Sequence, residues 1–341
     1  MKILVTGGCG FVGSNISLFL KRKNKNYNIE TLDNFTRDGS KINFKRLKKF
    51  GIKNHNININ NSQKILKLPK YDFIIDCCAE ASVELSRIDI DRIFKTNLVG
   101  TFNILKKCKK DNSNIIFLSS SRVYSIDSLN SLIKNKSKKI IYKPKVDHLF
   151  DTSGPKSLYG FTKLSSEMLI KEFSFLYDIK FIINRIGVIS GPWQFGRQDQ
   201  GFVSLWIWRH ITKKNLSYIG FKGNGYQMRD VIHIDDVCNL VFEQIKKIKK
   251  VNNSIFNVGG GIKNTISLKQ LTSKVENITG NKMKIKKVKE TSIYDIFYYS
   301  SDNRMIYKKY NWRVKNTIDQ ILNDTYKWLI NNYSLLKKIL K

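Results

Sequence analysis

The sequence predicts an α/β protein: a doubly wound parallel sheet in the first part of the chain, then a smaller mixed α/β domain at the C-terminal side. Two patterns predict it. Apolar strand-like runs alternate with helical stretches over residues 1–190, which implies right-handed crossovers and helices on both faces of the sheet. Beyond residue 190 the alternation stops, and glycines and aromatics cluster at 191–226. That change suggests a substrate domain over the carboxyl ends of the strands, where such sheets bind ligands.

The elements follow in order. Strands are expected at 2–6, 28–32, 55–59, 72–78, 114–119 and 181–185, and helices at 12–23, 40–50, 90–110 and 160–177. The polar, Lys-rich segment 125–156 reads as an insertion or lid before the helix at 160. A helix over 235–249 is expected to return to the first domain, so that 191–341 is mainly substrate domain. A last helix closes the chain over 316–333.

The first strand, Lys2-Ile3-Leu4-Val5, runs into Thr6-Gly7-Gly8-Cys9-Gly10-Phe11-Val12-Gly13. Gly7 suits the tight turn, Gly10 the approach of backbone to a pyrophosphate, and Gly13 the packing of helix on strand. The helix beginning near Phe11 and Val12 then points its N-terminus at phosphate. The spacing is G-x-x-G-x-x-G, a variant of the G-x-G-x-x-G fingerprint, and it marks a Rossmann-like nucleotide site. Asp33 ends the second strand about 20 residues beyond the glycines, where a carboxylate holds a ribose 2′-hydroxyl. That favours NAD over NADP, since a 2′-phosphate would be repelled; Asn34 beside it is a further cofactor-binding candidate, and Arg37 nearby weakens the preference.

Composition sets broad bounds. The 341 residues are 41% hydrophobic and 12% aromatic, enough for a real core. No run of 18 apolar residues occurs, and no signal-peptide pattern opens the chain. The five cysteines (Cys9, Cys77, Cys78, Cys108 and Cys238) lack paired metal spacing, and the four histidines form no ligand cluster. A cytoplasmic protein with reduced thiols and no metal is expected. Net charge is +34. Because Lys, Asn and Ile are abundant everywhere, the charge reads as compositional drift; no nucleic-acid motif accompanies it, and neither a nucleic acid nor a membrane is expected as partner. A basic surface still attracts a nucleotide-sugar diphosphate.

Tyr159 and Lys163 are spaced i, i+4, one turn apart on one helix face. An ammonium beside a phenol favours the phenolate, and a phenol so depressed serves as general base towards a hydroxyl. Upstream, Ile115-Ile116-Phe117-Leu118 is a strand ending in Ser119-Ser120-Ser121-Arg122-Val123-Tyr124. A serine there can bond both a substrate oxygen and the phenol, and each serine also suits a plain strand-end turn.

Serine, tyrosine and lysine after this glycine loop resemble the extended short-chain dehydrogenase/reductase family, the NAD-dependent epimerases and dehydratases. The resemblance covers nearly the whole chain. It implies Ser120 as the catalytic hydroxyl, Tyr159 as base, and Lys163 as the group that lowers the Tyr159 pKa and bonds the nicotinamide ribose. It implies that Asn97 shapes the site, that Cys78 and Ala79 line the cofactor, and that Arg229 binds the substrate diphosphate, with His233 and Asp235 structural. Asn58-Ile59 stands where the family usually has Asp-Ile or Asp-Leu against adenine, and 291–295 lacks the arginine many relatives carry.

Family dehydratases place Asp-Glu directly after their catalytic threonine, where this chain has Ser121 and Arg122; without those carboxylates, water elimination lacks its acid and base. Gly191-Pro192-Trp193-Gln194-Phe195-Gly196-Arg197-Gln198-Asp199-Gln200-Gly201, with Asp295-Ile296-Phe297, resembles the branch that interconverts CDP-paratose and CDP-tyvelose by inversion at C2. Gln194, Asp199 and Gln200 would hold sugar hydroxyls, with Phe195 or Trp193 stacked on an apolar face; Ser121, Arg122, Gly201 and Asp295 complete the expected substrate set. The resemblance implies an epimerase with tightly bound NAD acting on a CDP-sugar, and a homodimer or higher oligomer through the helices near 95–110 and 160–175. Two other readings remain: a 4-epimerase or reductase of the same fold, and a non-catalytic nucleotide- or RNA-binding module.

Overall fold

The computed structural model describes residues 1–83, 88–133, 144–197 and 200–340. Seven parallel strands form the main sheet: β1 (Lys2–Thr6), β2 (Asn28–Leu32), β3 (Lys53–His55), β4 (Phe73–Asp76), β5 (Asn114–Ser120), β6 (Phe181–Ile186) and, much later in the chain, Ser254–Val258. Their order runs Ser254–Val258, β6, β5, β4, β1, β2, β3. The direction of progression reverses at β1, so the crevice above the carboxyl ends of β1 and β4 is the switch point where ligands bind in such sheets.

Alternation along β1 fixes the two layers. Ile3 and Val5 face one side, with Ile16 and Leu20 of the helix Phe11–Lys23 and Val237 and Val241 of the helix Ile234–Lys247. Leu4 faces the other, with Ile104 and Leu105 of the helix Gly100–Asp111 and Ile170 of the helix Leu158–Tyr177. Successive side chains of a strand point to opposite faces, and both faces are apolar because both are covered. The returning helix therefore packs on the first, as its position in the sequence suggests.

Three sequence readings shift. The third strand is Lys53–His55, so Asn58 and Ile59 lie beyond it; Asn58 closes an exposed turn by accepting from the Asn60 amide at 2.9 Å. The helix expected at 90–110 is interrupted by a π turn, Lys95–Val99, between Ile90–Phe94 and Gly100–Asp111. The strand Ser254–Val258 lies within the stretch assigned mainly to the substrate domain, yet it pairs in parallel with β6. Sequence periodicity could not place it, since its partner is some 70 residues away in the chain.

With the main-sheet strand Ser254–Val258 numbered β10, the smaller domain is built on β7 (Val188–Ser190), β8 (Ser217–Ile219), β9 (Met228–His233), β11 (Thr265–Ser267), β12 (Lys286–Val288) and β13 (Tyr298–Tyr299). β9 is central to it, with β7 and β13 parallel and β11 antiparallel alongside. Its own core joins Val203, Ile207 and Trp208 to Leu271, Ile321 and Leu329. Of the segment 125–156, residues 134–143 lie outside the described residues. Its described ends are fastened down: Ile126–Ser131 is helical, and Val146 exchanges backbone bonds with Ser300 at 2.8 Å and Asp302 at 2.9 Å.

Candidate active site

A cavity of about 590 Å³ lies over the carboxyl ends of β1, β4 and β5, with the smaller domain as its outer wall. Its inner floor is the turn after β1. Gly7 has φ +58°, and a Cβ there would meet the Cys77 carbonyl oxygen and Cys78 Cα at 3.0 Å. A Cβ on Gly13 would sit 2.4 Å from the Gly7 carbonyl oxygen, so glycine lets the helix start directly on the strand. Gly10 is the N-cap and brings no side-chain cap. The first-turn N–H groups therefore keep their donors for an anion. Gly7, Gly10, Phe11, Val12 and Gly13 all line the cavity.

Asp33 stands behind this loop. It accepts the Cys9 amide at 3.0 Å and the Phe35 amide at 2.8 Å, and burial raises its pKa. In this geometry it fastens the glycine turn to the end of β2 and does not itself line the cavity. Asn34 is occupied locally by Thr36 at 2.9 Å. Of the residues after β4, Cys77 and Ala79 line the cavity, whereas the Cys78 amide points back to Thr6 Oγ1 at 3.2 Å. Ile59 is buried beneath Gly100, and neither it nor Asn58 reaches the cavity wall. The glycine cradle, the uncapped helix start and the available space fit a dinucleotide.

The candidate catalytic residues come from two elements. β5 delivers Ser119 and Ser120, and alternation separates their tasks. Ser119 donates to Glu167 Oε1 at 2.5 Å and is bound into the core. Ser120 shares the cavity wall with Tyr159, whose pKa it pulls down, and accepts the Arg122 amide at 3.2 Å. This separates the neighbouring serines that the sequence alone left a residue apart. Tyr159 and Lys163 come from the helix Leu158–Tyr177, which Ser157 caps through the Gly160 amide at 3.2 Å. Gly160 is needed for a close approach: a Cβ there would fall 2.1 Å from the Arg122 carbonyl oxygen.

The expected effect of Lys163 on Tyr159 needs correction. Lys163 Nζ donates to the Leu118 carbonyl at 2.9 Å and lies 4.3 Å from the Phe117 ring centroid; burial lowers its pKa. Burial raises the Tyr159 pKa, and the influences that pull it back are the Ser120 hydrogen bond and the charge of Arg122. Sharing a helix face is thus not enough, because the ammonium is turned to the strand end.

On the substrate side, Ser121, Arg122, Gln194, Phe195, Gln200, Gly201, Arg229 and Asp295 line the cavity. Arg122 donates to the Tyr294 carbonyl at 2.9 Å. Arg229 donates to the Met228 carbonyl at 2.8 Å and the Ile296 carbonyl at 2.6 Å; burial, then the charge of Arg122, bring its pKa down to about 9. Asp295 acts on both guanidinium groups in the opposite sense. Gln194 is committed to structure: its amide donates to the Ile189 carbonyl and accepts from Ser190, both at 3.0 Å. Trp193 does not line the cavity; its ring packs between Arg46 at 4.2 Å and Trp328 at 5.7 Å. Asp199 lies outside the described residues. Asn97 is buried away from the cavity, bracing the Glu80 backbone at 2.8 Å. His233 is structural, accepting the Asp235 amide at 3.0 Å at the start of its helix.

Several wall residues escaped sequence reasoning. Ser40 and Asn43 follow Asp33 and Arg37, and Tyr294 precedes Asp295; nearness to recognised positions was the available signal. Ile186 to Ile189 had none, since an apolar strand end looks like core.

Fold and cavity together define an α/β protein of the dinucleotide-binding class, with Ser120, Tyr159 and Lys163 on one cavity wall. Residues 3–259 match the NAD dependent epimerase/dehydratase family, and the chain belongs to that family, with NAD as its cofactor. It is 27% identical to the CDP-paratose 2-epimerase of Salmonella typhi over 96% of this chain and 99% of that one. It is 28% identical to the UDP-glucuronate 4-epimerase of Thermodesulfobacterium geofontis, over 98% of each. Among solved structures, the UDP-glucose 4-epimerase of Thermotoga maritima superposes with a TM-score of 0.83 at 24% identity, covering 98% of this chain and all of that one. The UDP-glucuronic acid 4-epimerase of Bacillus cereus, in complex with UDP-glucuronic acid and NAD, gives 0.82 at 23% identity over 98% of this chain and 100% of that one. Among the described residues, no helix is long and apolar enough to cross a membrane.

Proposed function

We propose that the protein is a nucleotide-sugar epimerase that converts CDP-paratose to CDP-tyvelose by inversion at C2. The observation that carries this reading is the cation Arg122, where the family's dehydratases have an acid: Ser120, Arg122 and Tyr159 line one cavity, with no carboxylate in the two places after Ser120. A centre so equipped can remove and restore a hydroxyl proton, while elimination of water lacks its acid–base pair. Full-length similarity to a CDP-paratose 2-epimerase supports the choice of sugar.

When bound, NAD supplies the hydride acceptor and donor. The chain supplies the rest. Tyr159 takes the proton from the sugar hydroxyl, Ser120 fixes the phenol and the reacting oxygen, and Arg122 favours the phenolate. Lys163, anchored on the Leu118 carbonyl, would hold the nicotinamide ribose. Arg229 pairs with the diphosphate, a task that suits a guanidinium fork. Ser121, Phe195, Gln200, Gly201 and Asp295 form the sugar wall, with Gln194 holding that wall in place.

A second reading is a 4-epimerase for an acidic sugar. It is favoured by the arginines of the cavity wall, Arg37, Arg122, Arg197 and Arg229, and by similarity to a UDP-glucuronate 4-epimerase. Incubating the purified protein with CDP-paratose, without added NAD, and following C2 by NMR separates the two. Inversion at C2 supports the first reading; no change there, together with turnover of UDP-glucuronate at C4, replaces it by the second.

We also infer a homodimer. Phe94, Phe102, Phe161, Met168, Phe175 and Leu176 are exposed on the neighbouring helices Ile90–Phe94, Gly100–Asp111 and Leu158–Tyr177. Such a patch is covered by a second copy when it is an interface, and sedimentation of the protein as a monomer at micromolar concentration would contradict it.

A further inference from the structure

Asp33 accounts for only part of a preference for NAD, because its carboxylate is occupied by the glycine loop. Arg37, four residues on, lines the same cavity. A guanidinium near the adenosine ribose is what a 2′-phosphate requires. Here that guanidinium is engaged. Arg37 Nη2 lies 2.6 Å from Glu80 Oε2, and the Glu80 side chain is 7% exposed. Arg92 Nη2 holds the second oxygen, Oε1, at 2.7 Å, which fixes the orientation of the carboxylate.

Glu80 is itself held from behind. Its amide donates to Asn97 Oδ1 at 2.8 Å, and its carbonyl accepts from Asn97 Nδ2 at 3.2 Å. Asn97 sits in the π turn Lys95–Val99 and also donates to Thr162 Oγ1 at 3.2 Å, on the helix that carries Tyr159. Single π turns inside helices are frequent at functional sites. This one braces the loop after β4 against the catalytic helix, which makes the position of Glu80 a property of the scaffold.

We propose that Glu80 sets the cofactor preference by clamping Arg37, so that the cavity accepts a ribose 2′-hydroxyl and withholds a cation from a 2′-phosphate. To bind NADP, the protein would have to draw Arg37 away from a buried carboxylate, and Glu80 would then stand near the incoming phosphate with half its pairing lost. NAD makes no such demand. Glu80 thereby becomes a specificity-determining residue that acts through Arg37 and needs no contact with the dinucleotide.

The test reads retained cofactor, not turnover. The full-length protein is incubated with equimolar NAD and NADP and freed of unbound nucleotide, and the retained dinucleotides are quantified after acid extraction. Wild-type protein should retain NAD almost alone. Glu80→Gln, which keeps the shape and removes the charge, should raise the NADP:NAD ratio about tenfold, the scale of one charge-assisted bond. Adding Arg37→Ala to Glu80→Gln should return the ratio to the wild-type value. Arg37→Ala alone should leave it unchanged, and this variant keeps the test open where Glu80→Gln fails to fold. An unchanged ratio in Glu80→Gln, an equal rise in the double variant, or loss of residual NADP in Arg37→Ala alone would overturn the proposal.

Discussion

Two arginines stand on either side of the end of β5 and behave in opposite ways. Arg185, on β6, is fully paired: Nη2 meets Glu167 Oε2 at 2.6 Å and Nε meets Oε1 at 3.1 Å, with Ser119 completing the carboxylate and His148 accepting Nη1 at 3.0 Å. Glu167 keeps the Arg185 guanidinium strongly protonated despite burial. Arg122, three residues beyond Ser119, donates to one backbone carbonyl, lines the cavity, and has its pKa lowered by burial. The paired arginine builds the platform on which Ser120 rests. The other presents its guanidinium to the cavity, where the proposed mechanism uses its charge for the phenol and for substrate. A buried charge is costly without a partner, so an arginine left short of carboxylate at a cavity wall marks the working face.

Variants can break this contrast. The largest effect is expected from Tyr159→Phe, which should keep its bound dinucleotide and lose about 10³-fold or more in turnover; near-normal turnover would remove the phenol from its role. Next comes Glu167→Gln, which leaves Arg185 buried against a neutral partner. About 3 kcal/mol of stability should be lost, read as the shift in urea midpoint with little change in slope. Arg122→Gln should fold normally. Its turnover at neutral pH should fall about tenfold, and the acid limb of its pH–rate profile should move to higher pH, because removing a cation raises the phenol pKa. Arg122→Lys should restore the limb, and a limb that stays in place in Arg122→Gln would reduce Arg122 to a wall residue.

The smallest effect concerns a carboxylate in the position opposite to Glu167. Asp230 is fully buried between Gly187, Gly259 and Ser301, and burial pushes its pKa up to about 6. Oδ2 accepts the Ser301 amide at 2.9 Å, while Oδ1 has no hydrogen-bond partner among the described residues. The folded protein therefore binds this proton more tightly than the unfolded chain, whose aspartate titrates near 3.9. The stability so gained is present below about pH 4 and is lost as pH rises through about 6. Asp230→Asn should flatten that part of the melting-temperature profile, and an unchanged slope would show that the group is solvated.

What was legible in the sequence was what is local. The strand, glycine turn and helix at residues 2–23 are contiguous, and spacing alone places Tyr159 and Lys163 on one turn. The end of an apolar run placed Ser119, Ser120 and Ser121, and only the family resemblance singled out Ser120. The partners of each residue were not legible, because they come from elsewhere in the chain. Nothing near Lys163 announces that its ammonium turns to Leu118, 45 residues away, or that Arg122 and Tyr159 line the same cavity. Asn97 looked like a wall residue and is a brace, since its partners Glu80 and Thr162 meet it only in the fold. Trp193 and Gln194 sit in a motif with the composition of a sugar site, yet packing against Trp328 and bonds to Ser190 consume them. Composition shows which groups are capable of binding; only tertiary contacts show which remain uncommitted.

The central claim is inversion at one carbon by removal and return of its own hydrogen, with Tyr159 handling only the hydroxyl proton. CDP-paratose carrying deuterium at C2, incubated with the purified protein in ordinary water, tests it directly. The account predicts CDP-tyvelose with deuterium fully retained at C2. Inverted product that has exchanged its label for solvent hydrogen would contradict it, and so would an unreacted sugar.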